Sequence, residues 1–357
     1  MMTRARSLTR IRTVAGIVGI IGIIAALIGL LTNQSAFFHA YLVGFACVAL
    51  ISLGCLFLLL INQITGGHWS IPVRESLEGG AQLIVVTALL FIPIVFGLSR
   101  LYPWAQPNTV SADPLLQHQS PFLNPTFFVI RAVIYFAVWI FLAWRMTRPG
   151  TPKRTTAIIG LVLYFPSATL AAIDWFMSLE PHWYSTIYGV LFLASQALTA
   201  YAFVIVLLLL TPTPAPEASE RQTRQDLGNV LLTILITVTY LQFMQFLVIW
   251  AGDLPDEITW YVERTADGWS LVALALIVLN IAVPFVLLLS RGIKSRVRSL
   301  ALVALLILIA QFVYVYWLIV PAFGAAVDGL TLILPIGMCG LWIAAFAYRL
   351  RGAAHEA

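Results

Sequence analysis

The sequence predicts an all-α integral membrane fold of ten transmembrane helices with both termini in the cytoplasm. Three observations predict it. Hydrophobic residues make up 61% of the 357 positions and charged residues only 10%, whereas a soluble domain carries about 25% charged residues. Ten apolar windows have the roughly 20 residues needed to cross a bilayer. The basic residues fall in alternate connections between those windows.

The windows are residues 13–31, 37–61, 79–98, 125–144, 155–176, 184–210, 227–250, 270–290, 299–320 and 329–348. The first follows a basic start, Met1 to Arg12, as a signal peptide would, but it has no A-x-A-like cleavage site and reads as a retained helix. Eight of the ten windows contain no Asp, Glu, Lys or Arg; Arg131 in the fourth and Asp174 in the fifth are the exceptions. Pro93, Pro166, Pro284 and Pro335 each kink a helix and free a carbonyl that neighbours must satisfy.

A cytoplasmic N-terminus puts seventeen of the twenty Lys and Arg residues on the cytoplasmic side, leaving Arg100 and Arg264 outside and Arg131 within the bilayer. The outer 99–124 connection is rich in proline and aromatic residues and can fold over the outer face. The outer 251–269 connection carries Asp253, Asp256, Glu257, Glu263 and Asp267. The cytoplasmic segment 211–226 reads as a flexible linker. The formal charge of +5 is spread between apolar runs and does not form the basic face that nucleic acid requires.

Cys47, Cys55 and Cys339 lie inside apolar runs as small hydrophobes. No C-x-x-C, haem-attachment or iron–sulfur spacing occurs, and of the five histidines only His39 is in an apolar window. No metal or cofactor is therefore expected on this chain.

Ionisable groups at membrane depth are functional candidates by default. Arg131 is about 10 Å deep in the fourth helix by helical rise. It can pair with Asp174 if helices four and five are neighbours, either as a structural salt bridge or as a charge tuning a proton-relaying carboxylate. Glu75 and Glu78, one helical face at the cytoplasmic mouth of the third helix, follow His68 and Arg74. They can take up protons or simply favour the helix N-terminus. Asp174 to Thr186 (DWFMSLEPHWYST) is the densest polar and aromatic cluster. Its Trp175, Trp183 and Tyr184 suit an interfacial belt, but the belt does not explain Glu180 beside His182. Tyr240, Gln242, Gln245, Asn280 and Gln311 can glue helices, line a wet path or hold a quinone carbonyl.

Three blocks suggest a family: IDWFMSLEPHWYSTIYG (173–189), QFMQFLVIWAGDLPDEITWYVER (242–264) with GWS and PFVLLLSRGIK (284–294), and YWLIVPAF (316–323). They resemble the F-type membrane subunit of bacterial alternative complex III, a quinol:electron-acceptor oxidoreductase whose membrane subunits are of the polysulfide-reductase (NrfD-like) type. The blocks occur in family order across residues 62–323. The chain departs from the family at Asp253, where asparagine is common, and in the modest Trp content of its seventh helix.

The resemblance implies two four-helix bundles, helices 2–5 (37–176) and 6–9 (184–320), with helices 1 and 10 at the periphery. It implies a bacterial inner-membrane complex, respiratory or photosynthetic, containing a sister NrfD-like subunit that holds quinol, an iron–sulfur protein and a multihaem cytochrome c. This chain would be a non-redox subunit with half-channels for protons. To the proton path the resemblance assigns Asp174, Glu180, His182, Asp253 and Glu257, with Glu78 and Arg131. Two other readings are a stand-alone secondary transporter, with substrate at proline-broken helices, and a subunit that itself binds quinone.

Overall fold

The computed structural model describes residues 2–67, 69–150, 153–210, 217–324 and 328–356. The described residues form helices and turns, with no strand. Ten stretches are long and apolar enough to cross a membrane: α1 (Arg6–Thr32), α2 (Gln34–Thr65), α3 (Ile71–Phe96), α4 (Pro125–Thr147), α5 (Lys153–Leu179), α6 (Tyr188–Leu209), α7 (Arg221–Gly252), α8 (Trp269–Leu289), α9 (Val297–Phe323) and α10 (Gly329–Arg351). Each coincides with one expected window. One end of the helix array carries the basic connections; the opposite end carries the 99–124 and 253–268 connections and is termed the acidic end.

Helix termini follow local chemistry. Asn33 alone separates α1 from α2: its backbone leaves helical geometry and its side-chain oxygen accepts from Ala36 N–H at 3.1 Å. Asn124 caps α4 in the same way, accepting from Phe127 N–H at 2.9 Å, with Pro125 at the first helical position. Of the linker expected at 211–226, the part from Glu217 onward is helical. Residues 211–216 lie outside the described residues, and a helix runs from Glu217 to Gly252. The prolines of this segment end at Pro216, and the charged EASERQTRQD that follows contains no helix breaker.

α2 and α6 form the centre. In their most apolar stretches 89% and 83% of residues are buried, against 22% for α1, α7 and α8, whose remaining faces are left to lipid. α2 packs on α3, α5, α6 and α10, and α6 packs on α5, α7 and α9 as well. Their approach is close because Gly54 has no side chain: a Cβ there would collide with the Gln196 carbonyl oxygen. α1 pairs with α10 through a similar contact, in which a Cβ on Gly22 would collide with Gly337 Cα.

Polar side chains join the helices where lipid offers no partner. Trp342 Nε1 donates to Ser52 Oγ, which bonds Thr87 Oγ1, both at 2.9 Å. Trp139 Nε1 donates to Ser167 Oγ at 2.9 Å. Tyr164 Oη lies 2.7 Å from Gln196 Oε1 and 2.9 Å from the Leu53 carbonyl. These links tie α10 to α2 and α3, α4 to α5, and α5 to α6 and α2.

Candidate functional site

The acidic end is held by three ionic contacts. The deepest is Arg131–Asp174. Arg131 Nε and Nη2 donate to the two Asp174 oxygens at 2.8 and 2.7 Å, a bidentate fork, and Nη1 donates to the Phe122 carbonyl at 2.9 Å. The guanidinium also faces the Phe122 and Phe127 rings, 3.9 and 4.4 Å from their centroids. Tyr135 donates its hydroxyl to Asp174 at 2.9 Å. Next in sequence, Trp175 is wholly buried against Phe45, Phe91, Phe136 and Trp139. Antiparallel α4 and α5 thus do pair these residues. With both carboxylate oxygens occupied by donors from α4, the arrangement is an anchor for the helix pair.

The second contact joins distant parts of the chain. Arg264 Nη1 donates to Glu180 Oε1 at 3.0 Å and Nη2 to Glu180 Oε2. Arg264 reaches the Leu318 carbonyl at 2.8 Å and the Trp260 carbonyl at 3.1 Å, while its own carbonyl accepts from Trp317 Nε1 at 3.0 Å. Its guanidinium lies 3.8 Å from the Trp260 centroid, and Trp260 stacks on Trp183 at 4.8 Å. The Arg264 side chain is only 1% exposed. Beside it, Glu263 is raised above the usual carboxylate range by partial desolvation and then by Glu180, with Arg264 opposing.

The third contact is at the surface. The 99–124 connection contains short helices, Pro107–Ala112 and Pro114–Gln119, that fold over this end. Asp113 caps the second, accepting from Leu115 N–H at 2.9 Å, and its other oxygen lies 2.7 Å from His182 Nε2. Desolvation raises the Asp113 carboxyl, but His182 and the backbone N–H groups outweigh it and hold the group below its usual range. Gln119 donates to the Pro181 carbonyl at 3.2 Å, and Tyr102 to the Trp175 carbonyl at 3.0 Å.

The remaining candidates are elsewhere. Asp253 is exposed in a left-handed backbone conformation (φ 47°), and Glu257 is half-buried in the first turn of the helix Pro255–Glu263. Glu78 is at the basic end, bonded by Arg74 Nε at 2.9 Å with Lys153 Nζ at 4.0 Å; Glu75 is half-buried one turn away. His68 lies outside the described residues. The candidates are therefore divided between the two ends of the helices.

The amides of α7 and α8 have a different setting. Gln242, Gln245 and Asn280 line a cavity of about 400 Å³ shared with Trp260, Tyr314 and Trp317. Gln311 stands behind Asn280 and donates to its oxygen at 3.2 Å. Tyr240 faces outward and is 57% exposed.

Sequence reasoning passes over Arg264, Asp113, Tyr135 and Trp260 as parts of this end. Arg264 has one visible signal: it is the lone cation in a connection of five carboxylates. No protein-family model matches the chain, and no curated protein matches it. Among the described residues no group of three or more His, Cys, Asp and Glu side chains is arranged to hold a metal ion.

Proposed function

We propose that this chain is a non-redox membrane subunit of a quinol-oxidising electron-transfer complex of the alternative complex III type. In this reading its helices form two four-helix bundles, α2–α5 and α6–α9, in a bacterial inner membrane with both termini cytoplasmic. Its partners are a sister quinol-binding membrane subunit, a multihaem cytochrome c and an iron–sulfur protein. The supporting observation is the convergence of the three sequence blocks that carry the resemblance. Glu180 and Trp183 come from the first, Trp260 and Arg264 from the second, Trp317 and Leu318 from the third, and they meet at buried Arg264: Glu180, the Leu318 carbonyl and Trp260 on its guanidinium, Trp317 on its backbone carbonyl, and Trp183 on Trp260.

The acidic end then serves assembly. Three ionic contacts tie its connections down, which gives extrinsic subunits a rigid platform. Asp174 and Glu180 act as anchors rather than as members of a proton half-channel, since each carboxylate is engaged by a forked arginine.

Purification of the tagged full-length chain from native membranes in mild detergent tests this reading. A ten-helix sister protein, c-type haem absorbance and iron–sulfur signals should copurify with it. A stable, colourless protein lacking those partners overturns it. Proton stoichiometry in the Asp174→Asn complex should remain unchanged; a halved stoichiometry would return Asp174 to the proton path.

A further inference from the structure

A groove of about 610 Å³ runs between α3 and α4 on the lipid-facing side of the helix array. It arises from small side chains along their seam. α3 is interrupted at Leu83, whose N–H turns back to the Gly80 carbonyl at 3.2 Å, and α4 packs on the segments to either side. Where they meet, Ala81, Ala137 and Ala143 offer only methyl groups, so no side chain fills the space. Val85, Phe141 and Trp144 border it and are exposed. From Ala137 to Thr147 the lining face of α4 is about 15 Å long by helical rise, half the roughly 30 Å of a bilayer's hydrocarbon. The groove therefore opens at the basic end and stops near the middle of the membrane. A spanning helix from another protein would need twice that length.

The mouth of the groove carries charge of one sign. Arg349, at the basic end of α10, donates from Nε to Gln82 Oε1 at 2.6 Å. That bond holds the guanidinium at the groove and leaves its two terminal nitrogens without a protein partner among the described residues. With its oxygen taken by Arg349, Gln82 has an NH2 group to donate. No carboxylate lines the groove, and Glu78, the acid nearest Gln82 in sequence, is bonded by Arg74. Arg148 adds a second positive charge, its guanidinium 5.1 Å from the Trp144 centroid. A fork of N–H donors beside an interfacial tryptophan suits phosphate oxygens, and basic residues at a membrane surface attract anionic lipid.

We propose that this groove binds one anionic glycerophospholipid from the leaflet at the basic end. Its phosphate sits on the Arg349 terminal nitrogens and the Gln82 amide, and one acyl chain lies along Ala137, Ile140 and Phe141. The leaflet length of the groove selects a lipid over a spanning helix. The uncompensated guanidinium selects an anionic head over a zwitterionic one. The site stands whether or not the chain belongs to an electron-transfer complex.

The test is native mass spectrometry of the full-length chain released from nanodiscs of phosphatidylglycerol and phosphatidylcholine, in equal parts and with identical acyl chains. One phosphatidylglycerol per chain should survive activation that strips the remaining lipid, in preference to phosphatidylcholine. Arg349→Gln should reduce that preference about tenfold, the loss expected for one hydrogen bond to a charged group. Ala137→Phe fills the groove and should reduce retention of both lipids alike. Both variants should melt like the parent, since each changes an exposed residue. Arg291→Gln, at an exposed position of the same end but outside the groove, should leave the preference intact. Equal retention of the two lipids by the parent overturns the proposal, as does an equal loss of preference in Arg291→Gln and Arg349→Gln. So does a benzophenone side chain at Phe141 that crosslinks, in native membranes, to a second polypeptide and not to lipid.

Discussion

The Arg264 guanidinium lies flat on the Trp260 ring while its two terminal nitrogens hold both oxygens of Glu180. A planar fork fits this place and a point charge does not. Arg264→Lys should therefore destabilise the protein nearly as much as Arg264→Gln, by about 3–5 kcal/mol, the cost of breaking a buried pair. Thermal unfolding in detergent measures it; a lysine variant that melts with the parent would remove this account.

For Arg131–Asp174 the informative comparison is single against double substitution. Asp174→Ala leaves a guanidinium buried beside Phe122 and Phe127, and Arg131→Met leaves a carboxylate buried beside Tyr135. Each should cost about 3–5 kcal/mol. Combining Arg131→Met with Asp174→Leu should recover most of that loss, because no charge is stranded. An additive double variant would show that the two residues are not energetically coupled and would remove this account.

The Asp113–His182 contact carries a pH dependence. Because the folded state holds the Asp113 carboxyl below its usual range, it binds a proton less tightly than the unfolded chain does. The resulting stability is fully present above the ordinary aspartate range and is lost as pH falls through the lowered value. Pepsin cleavage within 107–121 should therefore rise with acidification in the parent. Asp113→Asn should show a weaker dependence; equal profiles would contradict the contact.

Two glycines should respond in opposite ways to alanine. Gly54→Ala places a Cβ against the Gln196 backbone and should leave no monodisperse protein on size exclusion, since neither α2 nor α6 can give way. Gly16→Ala meets nothing within 4 Å and should be neutral or slightly stabilising through helix propensity.

Hydropathy makes the ten crossings legible, because each window must satisfy the bilayer by itself. It also exposes Arg131 and Asp174, the two charges that violate the pattern, and their neighbouring helices make the pair foreseeable. Arg264 and Glu180 are not foreseeable as partners. They are separated by 84 positions, and what joins them is the packing of three connections, on which apolar periodicity is silent. The groove beside Arg349 is hidden for a similar reason: Ala81, Ala137 and Ala143 read as ordinary helix formers, and only the packing of α3 on α4 sets them along one seam. In the segment 211–226 the linker composition conceals a helix that begins at Glu217.

The burial of α2 and α6 has a consequence for how the protein is made. In the finished molecule these two helices meet almost no lipid, yet each must partition into the bilayer as it leaves the ribosome. α2 is synthesised long before α6 and meets lipid first on the face that Gln196 will later occupy. Its Gly54 contact is therefore a vacancy waiting for a late arrival, and a substitution there would be felt during biogenesis, after α5 has already been inserted. Translation arrested before α6 should leave a chain that is fully inserted but not yet compact.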